Sequence, residues 1–343
     1  MQTLLWADST SVISSPRKFP LLMALAAMPA LFAAGPDASL WRFVHPKSKA
    51  LVGIQWSKVQ QSEVGRWIQQ RWINGESIPG IEFLPDIQEV LISSPGPAAG
   101  SDHGDPLLLI AIRGHFDLPK VQQLLLRQGH RAQTFGTVPV YGPGAKGSTE
   151  PSFALLSSEI ILVGDLPSLY ATIERSKLPL SEDDDEGFLG RAQLLATRYD
   201  CWAIMSEPGA MKDFLFASLA GKTLSSESQG FEAGISVKDG LAIDVVLTWQ
   251  TERGARTVAA KLNRMLKAST KDSAAPEYAA LFQKLHISSE QTSVFITLRM
   301  NRQETAASLK IPPVTTPNVH AAENRVIRIE GLDEGVREVV VKP

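Results

Sequence analysis

The chain has 343 residues, 44% of them hydrophobic and 20% charged, which is enough apolar material for two ordinary domains or one duplicated unit. Its 34 basic and 36 acidic residues give a net charge of −2. That balance excludes attraction of the chain as a whole to nucleic acid or to an anionic membrane, and leaves room only for local basic patches.

Arg17 and Lys18 precede an uncharged run from Phe19 to Ala34. A bilayer span needs roughly 20 apolar residues, so this run is short for one. A basic start, an apolar middle and small residues at the end make the order of a signal peptide. Residues 1–34 are therefore expected to be an export signal, with cleavage after Ala33 placing Leu31 and Ala33 at the recognition positions. The competing reading is a buried N-terminal helix of a cytosolic protein. No cysteine follows the run, so no lipoprotein anchor is expected, and no later segment reads as a membrane span. The expected location is the periplasm or the medium.

Past the signal, strands and helices alternate. Ala50–Trp56 reads as a strand, and Val59–Trp72 as a helix carrying Val64, Trp67, Ile68 and Trp72 on one face, with Ser57 as its cap. Ile87–Ser93 and Leu107–Arg113 read as strands, separated by a Gly- and Pro-rich loop over Pro95–Pro106. Asp117 caps a helix running to Arg127, with Pro119 in the first turn, where a missing N–H costs little. Strands follow at Thr137–Tyr141 and Phe153–Val163, then a helix capped by Asp165. The acidic run Ser181–Glu186 reads as a solvated linker rather than a metal cluster, because adjacent carboxylates do not converge on one ion.

The second half opens with the strand Cys201–Met205 and a helix over Met211–Leu219. Gly230–Val237 and Leu241–Trp249 flank Lys238-Asp239-Gly240, a strong hairpin signal. Arg253–Leu266 is an amphipathic helix with Val258, Leu262, Met265 and Leu266 on its apolar face. Ser293–Met300 is a strand, and a last helix starts at Arg302. The expected fold class is α+β, with two similar halves, each an antiparallel sheet with helices packed on one face, as in a ferredoxin-like duplication. The expected segments are the signal at 1–34, a first repeat at 35–178, an acidic linker at 179–199 and a second repeat at 200–310. A Pro- and Thr-rich linker at 311–324 and a terminal motif at 325–343 complete the chain; the motif reads as a hairpin, an added edge strand or a disordered tail.

No catalytic, cofactor or metal residue is assigned from the sequence. The six histidines do not pair at metal-ligand spacing. Asp102, His103 and Asp105 sit together in a loop rich in turn formers, and His115 at a strand end reads as a surface residue. Gly142–Gly147 (GPGAKG) lacks the ending of a phosphate loop and reads as a hairpin turn. Cys201 leads an apolar strand and reads as a buried, inert thiol. Trp56, Trp67, Trp202 and Trp249 occupy periodic core positions, while Trp41 and Trp72 are expected nearer the surface.

Three stretches carry a resemblance: FVHPKSKALVGIQWSKVQQSEVGRWI at 43–68, the strand–helix unit IRGHFDLPKV, and the terminal VIRIEGLDEGVRE. On these the chain resembles a family of uncharacterised exported proteins of Acidobacteria with a terminal VIRI-x-GLD-x-G-x-RE signature. Where that pattern has proline after the last glycine, this chain has Val336. The resemblance implies export and a duplicated α+β build, and brings no activity, cofactor or catalytic residue. The functional expectation is a non-catalytic binding or envelope-associated protein, with the C-terminal motif engaging a protein partner by strand addition and no nucleic-acid partner. The alternatives are an extracytoplasmic hydrolase using carboxylates and His115 at strand ends, and a structural module of a larger assembly.

Overall fold

The computed structural model describes residues 38–70, 86–97, 106–145, 148, 150–178, 187–206, 228–271, 279–309, 325–329 and 337–341. The chain falls into two units, residues 1–310 and 311–343. The expected signal segment 1–34, the Asp102/His103/Asp105 loop, the acidic run 181–186, Trp72, the helix expected over 211–219 and the expected linker 311–324 lie outside the described residues.

In the larger unit one antiparallel sheet of twelve strands runs through both expected repeats, where two sheets were expected. Its strands are β1 (Ala50–Ile54), β2 (Ile87–Pro97), β3 (Pro106–Gly114), β4 (Arg131–Phe135), β5 (Val138–Gly142), β6 (Ser152–Leu155) and β7 (Ile160–Gly164), followed by β8 (Cys201–Met205), β9 (Ser228–Ser236), β10 (Gly240–Trp249), β11 (His286–Glu290) and β12 (Ser293–Asn301). Across the sheet the order is β11-β12-β10-β9-β8-β1-β2-β3-β7-β6-β5-β4. The two halves meet where β1 pairs with β8, in the register Ala50↔Met205 to Ile54↔Cys201.

Helices cover both faces, not one. Leu51, Leu91, Leu109, Leu162 and Trp202 point to one side, where they pack against α1 (Ala38–Trp41), α5 (Leu166–Arg175) and α6 (Phe188–Arg198). Their neighbours Ile54, Val90, Ile110 and Ile161 point the other way, against α2 (Trp56–Gln60), α3 (Glu63–Ile68) and α4 (Leu118–Arg127). On that second side Ala203, Met205, Leu247 and Trp249 pack against α7 (Glu252–Lys271). The physical reason is in the strand composition. Side chains alternate between faces, so a strand such as β8, buried at all five positions, needs cover on both.

The indole of Trp202 dictates which residues can sit beside it. Its cross-strand neighbours are Gly53 on β1 and Gly234 on β9. A Cβ at Gly53 would lie 2.3 Å from the indole, and one at Gly234 would lie 2.2 Å from the Tyr199 ring. Trp41 stacks on Trp202 with centroids 5.7 Å apart, so it is held in the packing rather than at the surface. Trp56 and Trp249 are buried and Trp67 is partly buried.

Local chemistry sets the remaining boundaries. Asp117 and Asp165 cap their helices by accepting from Lys120 N (3.3 Å) and Ser168 N (3.0 Å), each with proline in the first turn. The helix expected over 59–72 instead breaks at Gln61 into α2 and α3, and Ser62, not Ser57, is the side-chain cap. The run 153–163 is a hairpin of β6 and β7 rather than one strand. Phe188–Arg198, inside the stretch read as acidic linker, is helical. On α7, Ala255, Val258 and Ala259 are buried, whereas Met265 is 39% exposed. In the smaller unit, β13 (Arg325–Ile329) and β14 (Arg337–Val341) form an antiparallel pair of their own.

Gly53→Ala and Gly234→Ala should each destabilise the protein by about 1–3 kcal/mol, because a ring on a fixed backbone must move. Gly190, inside α6 with open space around it, should gain about 0.5–1 kcal/mol when replaced by alanine. Urea denaturation of the three variants checks both signs.

Candidate functional site

β1 and β8 run antiparallel, so the end of β1 and the start of β8 lie at the same end of the sheet. After Ile54 the chain turns into α2 and then α3. Ser62 closes the junction: its buried hydroxyl donates to Val59 O (2.7 Å) and accepts from Gly65 N (3.1 Å). Gly65 is required there, since a Cβ would lie 2.0 Å from Val59 O. This tight junction brings Lys58, Gln61 and Glu63 to the sheet end.

Asp200 builds the opposite wall. It immediately precedes β8 and is buried, and its Oδ2 accepts from Ser236 Oγ (2.9 Å) and Val237 N (2.8 Å). These two bonds tie the start of β8 to the end of β9 and fix the turn at Lys238-Asp239-Gly240, where Gly240 has φ 128°. A third wall comes from α9 (Arg302–Ser308), which follows α8 (Ala279–Lys284) in the chain. Asn301 and Glu304 form a reciprocal capping box, and Lys284 Nζ reaches Glu304 Oε1 at 2.6 Å. That lysine, then the Asn301 backbone N–H, hold the Glu304 carboxyl below the usual carboxylate value. The anchored helix start lets Arg302 donate through Nε (3.2 Å) and Nη2 (2.6 Å) to Lys238 O.

Between these walls is a cavity of about 400 Å³, built from residues of both halves of the chain. Three cations line it: Lys58, Lys238 and Arg302. Its two carboxylates are occupied, Asp200 by the bonds above and Glu63 by an ion pair with Arg66. Among the described residues neither Lys58 nor Lys238 has a carboxylate within ion-pair distance. Arg302 has Asp239 at 3.8 Å, a largely exposed contact.

The groups singled out in the sequence lie elsewhere. His115 is exposed at the end of β3, with its Nε2 2.9 Å from Gln88 Nε2. His130 is buried and meets Phe153 edge-on, with centroids 5.2 Å apart. Residues 142–145 of the GPGAKG stretch lead from β5 towards β6, its antiparallel neighbour. Cys201 adjoins Asp200 in sequence but points into the core, where burial, and then the Asp200 charge, push its thiol well above the usual value. No group of three or more His, Cys, Asp or Glu placed to hold a metal ion occurs among the described residues.

Two further polar clusters link neighbouring strands away from the cavity. Tyr199 donates to Asp244 Oδ2 (3.2 Å) while Arg299 Nη2 bonds Asp244 Oδ1 (2.6 Å). Burial and the adjacent Asp244 raise the Tyr199 phenol above its ordinary value. Buried Glu89 pairs with Arg113 at 2.6 Å and also accepts from Gln55. Both clusters hold strands together.

Sequence reasoning did not select Lys58, Asp200, Lys238 or Arg302. The available signals were the Asp-Gly hairpin turn beside Lys238 and a lone aspartate directly before an apolar strand.

No protein-family model and no curated protein matches the chain. Among solved structures, the one described as "Structure of crystal form I of TP0453" aligns with a TM-score of 0.48 at 10% sequence identity, over 80% of this chain and 97% of that one.

Asp200→Ala should cost about 1–3 kcal/mol, because it leaves the Val237 N–H buried without an acceptor. Urea denaturation measures the loss. Cys201 should resist a thiol reagent in the native protein and react fully once unfolded; rapid native labelling would contradict its burial.

Proposed function

We propose that this is an exported, non-catalytic binding protein whose ligand seats in the cavity at the sheet end. One observation carries the binding reading. The carboxylates in the cavity wall are engaged in holding the turn and the α3 helix, while Lys58 and Lys238 line the cavity without acidic partners among the described residues. A general acid or base must reach a substrate proton, and here Asp200 Oδ2 is held by two wall donors while Glu63 is paired with Arg66. The same cavity suits capture of a polar ligand, since it is concave and a few polar groups converge on it.

The export half of the proposal rests on the Arg17–Ala34 pattern and on the resemblance of the VIRIEGLDEGVRE motif. We also infer two related halves. Strand order β1-β2-β3-β7-β6 reads outward from the seam as β8-β9-β10-β12-β11 does, with β5 and β4 as an addition on one side. Among the described residues the β13–β14 pair has no third strand, which suits strand addition to a protein partner.

Thermal-shift screening of the mature protein against small charged and neutral metabolites tests the binding reading. Ligands should raise the melting temperature without being turned over. Gln61→Trp, which fills an exposed position in the cavity wall, should remove those shifts. Turnover that Asp200→Asn abolishes would instead favour the hydrolase. Mass spectrometry of protein from the fractionated host should find a mature N-terminus near Ala34 in the envelope or medium; an intact terminus in the cytosol would contradict export.

A further inference from the structure

The geometry points to a phosphate monoester as the ligand of this cavity, an inference that rests on the binding reading above. Three cationic residues line one volume of about 400 Å³: Lys58 from the α2–α3 junction, Lys238 from the β9–β10 turn and Arg302 from the start of α9. Arg302 is oriented before any ligand arrives. Its Nε and Nη2 are fixed on Lys238 O, which leaves Nη1 with no hydrogen-bond partner among the described residues. A planar guanidinium held this way keeps its remaining donors in a defined direction and loses little entropy when an oxyanion meets them.

The acidic groups in the wall do not cancel this field. Asp200 keeps its charge, with Oδ2 turned to two neutral donors, and the Glu63 charge is paired with Arg66, so one carboxylate charge stands against three cations in the lining. An anion therefore meets two lysines with no acidic partner among the described residues and a guanidinium shared only with Lys238 O and, at 3.8 Å, the exposed Asp239. A phosphomonoester, with about two negative charges at neutral pH and three strong acceptor oxygens, matches three donors better than a monocarboxylate does. Val237 and Gln61 in the lining offer an apolar and a neutral polar contact for the organic remainder. A dicationic or neutral ligand would leave the lysine amines unanswered.

The test is isothermal titration of the full mature chain at low ionic strength, with inorganic phosphate and glycerol phosphate as soluble probes. Vesicles containing phosphatidic acid provide the lipid-headgroup arm. Saturable one-to-one binding of glycerol phosphate is expected if the source is a soluble ester, and saturable vesicle binding if it is a headgroup. In either case Lys58→Gln/Lys238→Gln should weaken binding at least about tenfold, since each lost charged hydrogen bond is worth about one order of magnitude. Added salt should weaken binding as well. Arg264→Gln, on the exposed side of α7, should leave affinity unchanged. Both cavity lysines are exposed, so the double variant should retain its melting temperature, which is measured alongside. Absence of saturable binding by every probe up to about 10 mM, or equal affinity in the double variant, would overturn the phosphate assignment. If neutral metabolites still gave shifts that Gln61→Trp removed, the cavity reading would stand and only the ligand class would fall.

Discussion

The antiparallel pairing of Ala50–Ile54 with Cys201–Met205 is the constraint on which the larger unit depends. It joins strands about 150 residues apart, and because the entropy of closing a loop grows slowly with its length, a short seam buried at all positions but Val52 can hold so long a connection. Each side chain along it has a core to enter. Leu51, Trp202 and Ile204 enter one layer, and Ile54, Cys201, Ala203 and Met205 enter the other. The seam also explains two glycines. The Trp202 indole fills the space at Gly53 and the Tyr199 ring the space at Gly234, so neither has room for a side chain.

The cavity is a product of the seam. Pairing β1 against β8 brings the chain leaving β1 next to the chain entering β8, and with it the α2–α3 junction next to Asp200. Asp200 then reaches across to the β9–β10 turn, whose Lys238 carbonyl orients Arg302. A hydrogen-bonded relay of backbone and side chain thus runs from the centre of the sheet to a guanidinium at its end. Of the charged residues lining the cavity, Asp200 and Glu63 have structural duties, and the cations are what the proposed ligand would meet. That division of labour separates the parts of the site that hold the fold from the parts free to meet a ligand.

Much of the local structure was legible in the sequence because local chemistry decides it. Asp117 and Asp165 cap helices with proline in the first turn, and Lys238-Asp239-Gly240 turns a hairpin. The two edge strands were not legible. Arg131–Phe135 is exposed along nearly its whole length, and His286–Glu290 alternates between exposed and half-buried residues with one large apolar side chain, so neither carries the apolar run that marks a core strand. The apolar run through Ile160–Val163 hid a turn at Leu156–Glu159, since two buried strands and their short link read as one. Covering helices on both faces was implicit in runs such as LLLIAIR, which leave no polar side to expose. The site itself could not be read along the chain. Lys58, Asp200, Lys238 and Arg302 lie far apart in sequence, and only the long-range pairing of strands assembles them.

The central claim is that the seam makes the two halves one cooperative body, and native-state hydrogen exchange tests it most directly. Amides of Leu51–Ile54 and Trp202–Met205 should exchange only through global unfolding, with the same free energy as the best-protected amides of β3 and β10, alongside a single urea transition. Exchange of the seam at a distinctly lower free energy, with two separate transitions, would show halves that fold independently and would remove the basis for a cavity built between them.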